Sequence, residues 1–153
     1  MPEDEGLRKF TEAYNEVGYD ARALGNHDFN YGLDYLSYYV DNNRAPFIND
    51  NVLDADTNVP FFGKEYTIVE KAGLKIGIMG ITTQYISHWE SEDHIKGLKF
   101  VSGYEALAKL AKKLRPQVDI LCALYHGGFE SDPLTGKATE PHTGENEGYK
   151  ILT

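Results

Sequence analysis

Asp20-Ala21-Arg22-Ala23-Leu24-Gly25-Asn26-His27-Asp28 is the stretch from which the architecture can be worked out. A short apolar segment runs into Gly25, and a strand ending there carries Asn26, His27 and Asp28 past a sheet edge. Open α/β sheets bind ligands at that edge, beyond the carboxyl ends of their strands. Asn26 offers a neutral carbonyl oxygen to a metal, and a histidine offers either a metal ligand or a proton donor. Ordinary residue usage predicts Gly-Asn-His-Asp by chance in roughly one chain of this size in a few thousand. Taken alone, the tripeptide also fits a turn in which Asp28 or Asn30 caps the following helix.

Helical and strand patterns alternate on either side. Leu7, Phe10, Tyr14 and Val17 recur at helical spacing before Gly18, and Leu33, Leu36 and Val40 mark a second helix ended by Asn42-Asn43. Phe47-Ile48 is a short strand candidate. Tyr66 to Glu70 and Leu74 to Ile81 are β-rich runs joined by a hairpin at Lys71-Ala72-Gly73. A third helix begins at Ser102 with Glu105 as a capping box, and its apolar face is Tyr104, Leu107, Leu110, Ala111 and Leu114. Val118 to Tyr125 reads as a strand covered on both faces, delivering His126-Gly127-Gly128. Residues 130–148 read as a long surface loop, after which Tyr149, Ile151 and Leu152 open a new amphipathic pattern. The alternation predicts an α/β fold with layered packing, without internal repeat or linker.

Composition narrows the function. The 153 residues suit one domain, and 41% hydrophobic with 25% charged residues is the usage of a soluble globular protein. No apolar run approaches the roughly 20 residues of a membrane span. A formal net charge of -9 argues against a nucleic-acid scaffold role, because duplexes are bound by neutralising phosphates with Lys and Arg. Met1-Pro2-Glu3-Asp4-Glu5 is acidic and lacks the apolar region of a signal peptide. Cys122, the single cysteine, lies in an apolar run and reads as an inert buried thiol.

His126 is the second place where a strand delivers a metal-type ligand. Its glycines remove bulk, so that a backbone or ligand can approach the imidazole. A lone histidine at a strand end is usually a hydrogen-bonded structural residue; two such sites, each after a hydrophobic strand, shift the balance towards a shared metal centre. His88-Trp89 either lines the substrate cleft or packs, and His94 and His142 have no ligand-spaced partners. The tyrosines read as core. There is no Gly-rich P-loop and no Gly-x-Ser-x-Gly elbow.

Several segments resemble the calcineurin-like metallophosphoesterases. Val17-Gly18-Tyr19-Asp20-Ala21 through Leu24-Gly25-Asn26-His27-Asp28-Phe29-Asn30-Tyr31-Gly32-Leu33 carries most of the likeness. Asn51-Val52, Ile76 to Ile81 with Gln84 and Trp89, and Asp119-Ile120 through His126-Gly127-Gly128 extend it in the same order. The likeness is greatest to the nucleotidase branch, which holds 5′-nucleotidases and 2′,3′-cyclic-nucleotide phosphodiesterases. It implies an α/β/β/α layered sandwich and two divalent metal ions (Zn, Mn, Fe, Co or Mg) that clamp a phosphate ester and activate water. By the same likeness Asn26 and His126 would be metal ligands, and His27 a general acid contacting the phosphate. Asp28 would lie behind them or cap the helix. Many 5′-nucleotidases have an acid where this chain has Asn30; Asn30 can orient His27 without a carboxylate's charge. That wording is nearer the cyclic-nucleotide 2′-phosphodiesterase/3′-nucleotidase subgroup.

The resemblance also implies what is missing. The Asp-x-His motif of the opening strand, the following Gly-Asp motif and the late Gly-His-x-His pair are absent from residues 1–153, as is the nucleobase-binding domain. Residues 1–153 are therefore expected to be the central portion of one catalytic domain, an incomplete sandwich lacking its first strands and last metal motif. Such a chain has too few ligands to hold metal and is expected to be inactive alone. The alternative is a noncatalytic α/β binding module on the same scaffold. A small nucleotide is the implied substrate, self-association could cover exposed sheet edges, and the parent would be exported to the periplasm, cell wall or medium.

Overall fold

The computed structural model describes residues 5–153, so the acidic stretch Met1–Asp4 lies outside the described residues. Helices α1 (Glu5–Val17) and α2 (Leu33–Asp41) flank the Gly25 turn, and β1 (Val52–Asp54) pairs antiparallel with β4 (Leu98–Phe100). β2 (Tyr66–Lys71), β3 (Leu74–Thr82) and β5 (Ile120–His126) form a mixed sheet in the order β2-β3-β5. One-turn α3 (Ile86–Trp89), α4 (Gly103–Leu114) and α5 (Gly148–Leu152) complete the elements. β3, α4 and β5 make one crossover with parallel strands, and the α/β expectation holds.

The hairpin is as read. Ala72 at φ 51° and Gly73 at φ 77° are both left-handed, as a two-residue turn between twisted strands requires. α4 also starts at Ser102, whose Oγ accepts the Glu105 N–H at 3.2 Å. The carboxylate at that cap comes from Glu147 rather than Glu105. Glu147 accepts from Ser102 Oγ at 2.7 Å and from Tyr104 N at 3.1 Å, so the far end of the 130–148 loop seals the helix.

Apolar residues gather in two clusters. Met79, Ile81, Leu107, Leu110 and Leu114 pack α4 onto the sheet, while Leu7, Leu24, Phe29, Leu36, Tyr39, Phe47, Val52, Phe62 and Ile86 form the core beneath the Gly25 turn. Of the α1 face, Leu7 is buried, but Phe10 and Val17 remain 51% and 64% exposed. Tyr31 is likewise exposed, against the core reading of the tyrosines.

Three expectations are corrected. Residues 20–24 are not a strand: Arg22 makes one parallel bridge to Phe47, with Arg22 N to Pro46 O at 3.0 Å and Ile48 N to Arg22 O at 2.7 Å. Apolar pattern alone does not make a strand without a partner to extend the ladder. β5 is not covered on both faces; as the sheet's edge it leaves Ile120 43% exposed and Cys122 half-buried. Residues 130–148 form a long loop that is exposed in its middle, but Glu130, Ser131 and Glu147 at its ends are buried. β1 and β4, three residues each, lack the periodicity that would mark them in the sequence.

Candidate active site

The Gly25 turn is held from below. Leu24 and Phe29 are buried on either side of it, with Phe29 edge-on to Phe62 and Phe100 at 6.4 and 5.7 Å between centroids. Residues Asn26–Phe29 wind one 3₁₀ turn, with Asp28 N donating to Gly25 O at 3.2 Å. The Asp28 carboxylate reaches back and accepts the Gly25 N–H at 2.7 Å. Burial raises the Asp28 pKa, outweighing the Gly25 N–H and the positive fields of Arg22, His126 and His27. Asp28 therefore closes its own turn. The next helix, α2, starts at Gly32 with no side-chain cap, so neither Asp28 nor Asn30 caps it.

Asn30 instead meets His27, its Nδ2 3.1 Å from His27 Nδ1. An amide N–H donated to Nδ1 leaves the imidazole proton on Nε2, available to an acceptor in the cleft. A turn of the same amide presents its oxygen to a protonated Nδ1. Asn30 can thus serve both protonation states of His27.

β5 delivers His126 to the same place from the other side. Its Nε2 lies 2.8 Å from Asn26 Oδ1. The approach depends on Gly25, where a Cβ would stand 3.1 Å from His126 Cε1 and 3.3 Å from both ring nitrogens. Gly127 and Gly128 have different reasons: a Cβ at Gly127 would collide with the Tyr125 hydroxyl, and one at Gly128 with the Asn146 amide. Of the three, Gly25 is the one that lies against the imidazole.

A buried amide fixes the strand end. Asn51, fully buried, donates to Thr82 O at 2.7 Å and Val101 O at 3.0 Å, and accepts from Thr82 N at 2.9 Å. Thr82 pairs in register with His126, and Thr83 N donates to His126 O at 2.8 Å. Asn51 therefore sets β3, and β3 sets His126. Asn51-Val52 carries part of the family likeness, but no spacing reveals this clamp.

A cleft of about 500 Å³ is lined by Asn26, His27, Asn30, Trp89 and Glu90. Trp89 lines this cleft and also packs edge-on against Tyr85, at 5.4 Å between centroids. His94 is paired with Glu90, Nδ1 to Oε2 at 3.2 Å, and His88 stacks on Tyr85 at 4.0 Å. A second cleft of about 410 Å³, between residues 50–65 and α4, contains none of the candidate site residues.

Asn26 Oδ1 and His126 Nε2 fit adjacent corners of a divalent-metal site, where donors about 2.0–2.2 Å from the ion lie roughly 3 Å apart. Among the described residues no group of three His, Cys, Asp or Glu side chains could hold a metal, and two donors alone do not make a metal site.

No family model matches the chain. A 2′,3′-cyclic-nucleotide 2′-phosphodiesterase/3′-nucleotidase from Salmonella typhimurium is 33% identical over 135 residues, 80% of this chain and 20% of that protein. A solved Staphylococcus aureus structure assigned as a 5′-nucleotidase matches with a TM-score of 0.89 and 36% identity, over 95% of this chain and 28% of the other. A calcineurin-like phosphoesterase from Bacillus subtilis matches with a TM-score of 0.76 and 25% identity, over 94% and 43%. The chain spans about a fifth of the length of the first curated relatives it matches. In fold and sequence the chain is similar to calcineurin-like phosphoesterases. The relatives it resembles carry the names 2′,3′-cyclic-nucleotide 2′-phosphodiesterase/3′-nucleotidase and 5′-nucleotidase. No helix among the described residues is long and apolar enough to cross a membrane.

Proposed function

We propose that this chain is the central portion of a metal-dependent nucleotide phosphoesterase and supplies one side of its active site. The observation that carries the reading is the meeting of Asn26 Oδ1 and His126 Nε2 at 2.8 Å, beside the His27–Asn30 pair. Asn26 and His126 would hold one divalent ion through those atoms. When bound, a pair of divalent ions polarises the phosphate and supplies a hydroxide nucleophile.

His27 holds the proton. With Asn30 donating to Nδ1, the proton sits on Nε2, from which it is donated to the leaving oxygen as charge develops on it. Asp28 keeps the Gly25 backbone closed, so that the imidazoles of His27 and His126 keep their relative placement. The wording Asn26 to Gly32, with Asn30 in place of a carboxylate, resembles the cyclic-nucleotide 2′-phosphodiesterase/3′-nucleotidase subgroup and supports 2′,3′-cyclic and 3′-nucleotides as substrates, with 5′-nucleotides as the alternative. The missing carboxylates and histidines belong to other parts of the intact protein, and alone this chain is inactive. Export of the intact protein follows the same likeness.

The test is hydrolysis of 2′,3′-cyclic AMP and 3′-AMP by the longest protein in which this chain occurs, supplied with Mn²⁺, Co²⁺ or Zn²⁺. His27→Ala should lower kcat about 10²–10⁴-fold. Absence of hydrolysis with every ion, or full activity of the variant, would overturn the reading in favour of a noncatalytic binding module.

A further inference from the structure

The ends of β3 and β5 are tied together by a segment from further along the chain. On the β3 side, Thr83 Oγ1 donates to Glu145 O at 2.6 Å and Gln84 Nε2 to Gly144 O at 3.0 Å. On the β5 side, Gly128 N donates to Asn146 Oδ1 at 2.5 Å. Gly128 O accepts from Gly148 N and from the Tyr125 hydroxyl, each at 3.1 Å, and that hydroxyl accepts the Glu147 N–H at 2.9 Å. The contact is so close that a Cβ on Gly148 would stand 2.6 Å from Gly128 O. Residues 144–148 thus brace both strand ends, and the Glu147 carboxylate anchors the brace to α4 at Ser102 and Tyr104. Asn146 is central to it, because its Nδ2 also donates to Glu140 Oε1 at 2.8 Å.

We propose that Asn146 is a positioning residue for His126: by holding Gly128 it fixes the turn that leaves β5, and so keeps the imidazole against Asn26 Oδ1. The purpose of that placement is a divalent ion, so the inference rests on the metal-dependent phosphoesterase reading. β5 is the sheet's edge, and its last residue is secured to β3 by the Thr83 N–H on His126 O. A strand end supported from one side can pivot, and a side chain beyond the last ladder bond amplifies the movement. Anchoring Gly128 on both its N–H and its carbonyl removes that freedom. Hydrogen bonds behind a metal ligand set its orientation, and losing one typically costs about 10–100-fold in affinity or activity.

In the 153-residue chain, Asn146→Ala should shift the His126 side-chain ¹⁵N resonances as the imidazole leaves Asn26. Those of His94, paired with Glu90, should stay in place. Asn146→Asp combined with Glu140→Gln exchanges donor and acceptor between the two side chains while keeping an oxygen on Gly128 N, and should return the parent resonances. Tyr125→Phe removes one hydroxyl and little bulk, a milder release of Gly128 that should shift His126 in the same direction. Unmoved His126 resonances in Asn146→Ala, or in Tyr125→Phe if Asn146→Ala does not fold, overturn the proposal. In the longest protein containing the chain, Asn146→Ala should raise the Mn²⁺ concentration for half-maximal hydrolysis of 3′-AMP about 10–100-fold, with kcat at saturating Mn²⁺ little changed. A residue that only stabilised the fold would lower the amount of active protein and leave that concentration unaltered, an outcome that also sinks the proposal. If the parent hydrolyses nothing with any ion the phosphoesterase reading fails, while the His126 resonances still decide whether Asn146 positions the ring.

Discussion

Asn26 and His126 stand 100 residues apart in the chain, yet His126 Nε2 lies 2.8 Å from Asn26 Oδ1. Three local decisions produce that contact. Gly25 leaves space for the imidazole, β5 runs parallel to β3 so that His126 pairs with Thr82, and Asn51 clamps Thr82 on both its N–H and its carbonyl. Each can be tested separately.

Gly25→Ala should disrupt the site while leaving stability nearly unchanged. Gly25 has φ -99° and ψ 168°, which alanine adopts freely, and the new Cβ would meet only the exposed imidazole of His126. Unfolding free energy should stay within about 0.5 kcal/mol of the parent. The His126 side-chain ¹⁵N resonances should shift as its bond to Asn26 is lost; unaltered resonances would refute the close approach.

Asn51→Leu should be strongly destabilising. It preserves bulk but strands the Thr82 N–H and the Thr82 and Val101 carbonyls in the interior. Buried unpaired groups cost roughly 1–3 kcal/mol each, so a loss of about 3 kcal/mol or more is expected in urea denaturation. A loss under about 1 kcal/mol would show that the clamp is dispensable.

Asp50 gives a pH signature. Burial, reinforced by the negative field of Glu65 and opposed by Lys109 and Lys113, pushes its pKa from the ordinary 3.8 up to about 6. A carboxyl whose folded pKa is raised costs stability once it ionises, so stability falls as pH climbs from about 4 through 6. Asp50→Asn removes that cost. It should be more stable than the parent by about 1 kcal/mol at pH 7.5, after allowing for solvent screening of this half-exposed group. The two should converge near pH 4, and thermal melts across that range provide the check.

Glu130 should behave in the opposite sense. Burial disfavours its charge, but the N–H groups of Tyr149 and Lys150 at 3.0 and 2.8 Å win, and its pKa is lowered. The stabilisation is present above the ordinary carboxylate pKa and disappears as pH falls through the folded value. Glu130→Gln should therefore cost roughly 1–3 kcal/mol at pH 7 and progressively less as pH falls below the ordinary carboxylate range, read from urea midpoints.

Much of the fold was legible where a pattern is local. α1, α2, α4, the Ala72-Gly73 hairpin and β5 all follow from periodicity, caps and turn residues within a few positions of one another. The residues of the candidate site were legible too, as Asn26, His27, Asp28 and Asn30 in one turn and His126 at one strand end. Illegible were the 20–24 segment, which has strand composition but only one bridge, and Trp89, whose sequence fits packing as well as a cleft wall.

The sequence by itself determined that an Asn-His turn and a His-bearing strand exist, because φ/ψ preference and apolar spacing are properties of neighbouring residues. Only the tertiary structure decided that the two converge, that Gly25 rather than Gly127 or Gly128 lies against the imidazole, and that Asn51 holds β3 in register. It also decided that Trp89 opens onto His27. Those relations are hydrogen bonds and van der Waals exclusions between atoms far apart in the chain. No local pattern encodes them, and they come into being only when the layers pack.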